Sequence, residues 1–256
     1  MPEIAQSETR SAADVVRSTP VTQAENGIAF ALYGDNHLAP SELARVSGAV
    51  PRVIAAALGH RAFYFVPLAM TDNNEVRISE NYSEALGDVS SCHRNYDVGG
   101  SQYVFISTRL SPDKFSVAFE FFINVAHAFV DAVGVAPPFA DLAWKQALAG
   151  AKGETSLDAH EYRRQALGGE FTANGNGTRT PDERARTQYM EAAFSDALAI
   201  YMLSLAIDVE YFELRERDYP LLAPKPLAER LRLMAELFPA NPGYEFAIHY
   251  RRRGER

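Results

Sequence analysis

Polar and apolar positions recur with two different periods along this 256-residue chain. Up to about residue 110 the apolar runs are short, aromatic and β-branched, with turn residues between them, as strands require. Beyond that point the runs lengthen and repeat every three to four residues, the period of helices. "RAFYFVPLAM", Arg61 to Met70, predicts a buried strand, and "TDNNE" after it a turn. "SQYVFISTRL" predicts a second strand, with Tyr103, Phe105 and Ser107 on one face and Val104 and Ile106 on the other. "NGIAFALYGD", Asn26 to Asp35, fits a short strand or a helix start, and "EALGDVSSCHRNYDVGG" reads as loop.

Helices are expected where a cap or a proline opens a periodic run. Pro40 and Pro51 open two short ones, closed by Gly48 and Gly59. Ser111, Pro112 and Asp113 suit the start of a long apolar helix to about Val133, which "GVAPP" stops. Further helices are predicted over "FADLAWKQALAGA", over "DAHEYRRQALGGEF" with Asp158 as cap, from Thr180-Pro181 to Phe212, and over "LAERLRLMAELF" before Pro239. "TANGNGTRTPDE" reads as a Gly/Asn-rich loop. Strands in the first half and helices in the second make an α+β class: a helix-rich domain with a small sheet in its N-terminal half. Residues 1–24, rich in Ser, Thr, Ala and Glu, are expected to be a poorly ordered lead-in, and residues 25–256 a single domain.

Composition narrows the function classes. Apolar residues at 47% and charged ones at 23% are ordinary for a globular chain. A net charge of -8 and a pI near 5.3 argue against a nucleic-acid partner, which needs a basic face. The one dense basic run, Arg251-Arg252-Arg253, sits near the C-terminus and reads as solvated. Cys92 is the only cysteine, so no intrachain disulfide or multi-cysteine zinc site can form. The N-terminus lacks the basic start and apolar core of a signal peptide, and no run approaches the roughly 18 consecutive apolar residues of a membrane span. A soluble, cytoplasmic protein with no membrane partner is the expectation.

The densest chemistry lies in "AFEFFINVAHAFVDAV", Ala118 to Val133. Glu120, Asn124, His127 and Asp131 fall within roughly 60° of one another on a helix, a polar stripe among phenylalanines, valines and an isoleucine. A helix apolar nearly all round is a buried one, and buried carboxylates need partners, a proton or a metal. A second apolar helix, "YMEAAFSDALAIYM", carries Glu191, Ser195 and Asp196. Arg94, in the loop before the second strand, is a fitting carboxylate partner for the stripe. Cys92 and His93 beside it, His160 and Glu161, and the Gly-rich "GGEFTANGNGT" read as loop or solvated positions; the last lacks a phosphate-loop signature.

The order of strand "FYFVPLAM", strand "SQYVFIS", helix "NVAHAFVD", then "EAAFSDALA" and "YPLLAPKPLAERLRLM" resembles the zincin-like metallopeptidase fold, in particular gluzincins of the lethal-factor catalytic-domain type. The family motif H-E-x-x-H puts two zinc-binding histidines on one helix face and a general-base glutamate between them. The resemblance aligns it with Ile123-Asn124-Val125-Ala126-His127. His127 and Asp131 then match the second histidine and the acid that follows. Ile123 cannot bind metal, and Asn124 cannot take a proton from water. The third-ligand position falls on Ala192, with Glu191 one residue away, about 100° round the helix. The resemblance therefore implies a zincin-like protein without an intact zinc site: a pseudoenzyme that binds or scaffolds, with a small molecule or peptide in a cleft near Glu120, Asn124, His127, Asp131, Glu191, Asp196 and Arg94. No cofactor is expected. The alternative is a metal-dependent hydrolase holding zinc, iron or manganese with His127, Glu191 and Glu120.

Overall fold

In the computed structural model, which describes residues 9–35, 38–110, 114–168, 182–207 and 220–247, the chain divides into two units. The first is Met1–Val125 with Asn241–Gly243, and the second Ala126–Ala240 with Tyr244–Arg256.

Unit 1 contains, in chain order, β1 (Thr9–Ser11), α1 (Ala12–Ser18), β2 (Thr22–Gln23), β3 (Ala29–Leu32), α2 (Pro40–Gly48), α3 (Arg52–Ala57), β4 (Arg61–Val66), β5 (Leu68–Asp72), β6 (Glu75–Ser79), α4 (Glu84–Gly87), β7 (His93–Val98) and β8 (Ser101–Ser107). It also holds the first half of α5 (Lys114–Val133). Residues 9–23, within the expected lead-in, carry β1, α1 and β2. Thr9–Ser11 pairs with β6, and Ser11 caps α1 by accepting the Asp14 amide at 3.1 Å.

The main sheet runs β2-β3-β4-β8-β7, with β3, β4 and β8 parallel and the outer pairs antiparallel. A second antiparallel sheet runs β1-β6-β5. "RAFYFVPLAM" is therefore two strands in two sheets. Pro67 has no N–H for the ladder, so the run breaks there. Asn73 and Asn74, both at positive φ (48° and 64°), make the tight turn between β5 and β6. β4 is buried on both faces, as a central parallel strand is. Tyr64 and its alternates Ala62 and Val66 pack with Ala12, Val15, Ile78 and Phe105. Phe63 and Phe65 face the other way and meet Phe121 of α5, at 5.1 and 5.6 Å between ring centroids.

β7 forms where the sequence pattern predicts loop. "HRNYDV" has no apolar alternation because it is an edge strand, paired on one side only and with Asn95, Asp97 and Val98 exposed. Gly99 and Gly100 at φ 58° and 81° form the two-residue turn to β8.

The second half of α5 belongs to unit 2, which also contains α6 (Pro137–Leu148), α7 (Leu157–Ala166), α8 (Glu183–Ala206) and α9 (Pro224–Leu237). From Ala193 to Leu203 every residue of α8 is buried, so it is the core helix. Phe194 stands at its centre, with Phe139, Phe238 and Phe129 at 5.1, 6.1 and 6.3 Å. α7 is capped by Ser156, which accepts the Ala159 amide at 3.1 Å; Asp158, the expected cap, lies in the first turn. Asp182 caps α8. The expected cap Ser111, the loop at 172–181 and the stretch 208–219, with Phe212, lie outside the described residues. All named strands precede Thr108 and the named elements after it are helical, so the class is α+β.

One described helix, Phe115–Val133, is long and apolar enough to cross a membrane; half of that span is buried within the protein.

Candidate functional site

The stripe on α5 does not lie buried along its length. The helix packs through one arc: Val117, Ala118, Phe121, Phe122, Val125, Ala126, Ala128 and Phe129 are buried. Phe119, Ile123 and Val130 on the other side are only half-buried, and these apolar residues on an outer face make the helix read as enclosed. Of the four polar residues, Asn124 is buried, Glu120 has a side chain 16% exposed, and His127 and Asp131 are exposed.

The inner half of the stripe meets β7. Antiparallel pairing sets His93 opposite Ile106 and Arg94 opposite Phe105. Side chains alternate between faces, so His93 shares the α5 face with Ile106, and Arg94 the face of Phe105 and Tyr64. His93 Nδ1 accordingly lies 2.6 Å from Glu120 Oε1. Asn124 Nδ2 donates to the same Oε1 at 3.0 Å and to the Glu120 carbonyl at 2.8 Å. The carboxylate can only accept from His93, which puts the proton on Nδ1 and leaves Nε2 as the ring's acceptor. The His93 side chain is half-exposed, at 42%.

Arg94, expected as the stripe's partner, points to the opposite face. It donates to the His93 carbonyl at 3.3 Å, and its buried Nε has no partner among the described residues. His93 reads as a loop residue in the sequence, and its place in the site was missed there. The legible signal is the Gly-Gly turn, since counting back from the Val98–Ser101 pair puts His93 opposite the apolar Ile106.

Glu191 and Asp196 on α8 have separate surroundings. Glu191 is exposed, at a surface hollow with Val135, Glu183, Arg186 and Met190. Asp196 is 8% exposed and accepts from Thr155 Oγ1 at 2.9 Å. Burial pushes its carboxyl up to about 7, against the pull of hydrogen bonds from Ser156 and Thr155.

Unit 2 also encloses a charged network. Glu154, fully buried, accepts from Arg230 at 2.9 and 3.3 Å, from Arg163 at 3.1 Å and from the Tyr189 hydroxyl at 2.8 Å. Arg230, equally buried, also donates to Tyr189 and Gln146, at 3.0 and 2.8 Å. Burial and the neighbouring Glu154 carboxylate push the Tyr189 hydroxyl far above its ordinary range, against the pull of Arg230. The Glu154 backbone bridges to Pro220 and Leu222, which fixes the loop before α7. The one sequence signal is an arginine inside the apolar stripe Leu227, Leu231, Met234 of α9.

Among the described residues no three His, Cys, Asp or Glu side chains stand close enough to hold a metal ion. The chain matches no family model, no curated protein and no solved structure.

Proposed function

We propose that this chain is a zincin-like protein whose α5 no longer serves zinc chemistry, and that it acts by binding a small molecule or peptide beside α5 and β7. One observation carries this reading. Asn124 stands where the family holds its general base, and its amide is committed to Glu120, whose carboxylate is shared with His93. Hydrogen bonds from His93 and Asn124 orient the acid of this helix. Half-buried apolar Phe119 and Ile123 lie on the outer arc of the same helix and offer contact area to a ligand.

The test is metal content in protein purified without chelator, for wild type and His127→Ala, alongside hydrolysis of an unstructured peptide mixture. The expected result is no stoichiometric metal in either protein and no peptide cleavage. One metal per chain, lost in the variant, would overturn the proposal in favour of a metal-dependent hydrolase with a replaced ligand set.

A further inference from the structure

The start of α7 is held by a carboxyl group that has no cation of its own. Asp196 is nearly fully buried on α8, and its partners are hydroxyls: Thr155 Oγ1 at 2.9 Å and Ser156. Ser156 is also the N-cap of α7. Among the described residues Asp196 makes no ion pair. The charged groups packed around this corner are already engaged with one another. Glu154 of the preceding loop binds Arg163 from α7, Arg230 from α9 and the Tyr189 hydroxyl from α8. Glu154 acts on Asp196 as a like charge, and Arg230 offsets that in part.

We propose that Asp196 is a proton-dependent clasp on the first turn of α7: protonated, it stays closed over Thr155 and Ser156; ionised, it favours an opening that lets water reach it. A neutral carboxyl loses little hydration when buried, whereas a carboxylate without a cation loses much. The group's position in the folded chain, at about 7 against an ordinary 3.8, agrees with this geometry. The closed form keeps a proton that the open form has released between those two values, so opening becomes easier as pH rises through that window.

Hydrogen exchange at the α7 amides, corrected for intrinsic rates, tests the clasp. The opening constant is expected to rise about 30-fold between roughly pH 5.5 and 8 in wild type. It should stay flat in Asp196→Asn, and the α7 amides should open at a lower free energy than those in the middle of α8 at both pH values. Equal opening of α7 at both pH values, the same dependence in the variant, or α7 amides that open only together with the whole of unit 2 would overturn the proposal. Carbon-13 titration of the Asp196 carboxyl in wild type decides between the outcomes even where the variant fails to fold. A midpoint near neutrality is expected, and one below about pH 5 would overturn the clasp.

Discussion

Replacing Arg230 with methionine isolates the energetics of the buried network. Wild-type Arg230 gives Glu154 two N–H bonds, at 2.9 and 3.3 Å, and also serves Tyr189 and Gln146. In Arg230→Met the Glu154 carboxylate stays buried. Oε1 keeps Arg163 and Tyr189, while Oε2 loses its Arg230 partner. Removing one side of a buried ion pair costs about 3–5 kcal/mol. The retained Arg163, with a side chain 12% exposed, favours the lower end of that range. Trp144, the chain's one tryptophan, lies on α6 in the same unit, so its fluorescence in urea reports the relevant unfolding. A loss of about 3 kcal/mol is expected for Arg230→Met. The double variant Glu154→Met/Arg230→Met should recover at least half of it, because an apolar pair leaves no uncompensated charge. A single variant within about 1 kcal/mol of wild type, or a double variant worse than the single, would refute the reasoning.

Three further outcomes follow from the same geometry. Gly153→Ala places a Cβ 2.0 Å from the Leu221 carbonyl oxygen at φ +80°, so the loss should exceed the roughly 1–2 kcal/mol of a left-handed residue alone, read from the same urea transition. Glu120→Ala removes the oxygen shared by His93 and Asn124; because His93 is half-exposed the cost should be only about 1 kcal/mol, while nitrogen-15 spectra should show the His93 proton moving from Nδ1 toward Nε2. Asp196 is raised in the folded chain, so the native state binds more protons than the unfolded one between 3.8 and about 7. Stability should therefore fall by up to about 4 kcal/mol as pH rises through that window, and Asp196→Asn should flatten the profile measured by urea titration at a series of pH values.

Local pattern by itself determined most of the elements. Periodicity placed the long helices, and alternation along "SQYVFIS" assigned the faces of β8, because these signals act between residues a few positions apart. It also placed Glu120 and Asn124 on one side of α5. Tertiary structure decided the rest. Pro67 divided an apolar run between two sheets, and an edge position made a strand of the polar "HRNYDV". Register across β7 and β8 chose His93, not Arg94, as the partner of Glu120. The meeting of Glu154, Tyr189 and Arg230, and of Asp196 with Thr155, joins residues 35 to 76 positions apart. Such pairings follow from how helices pack, and helix packing is set by the apolar faces around them; the polar residues they bring together leave no periodic mark in the chain.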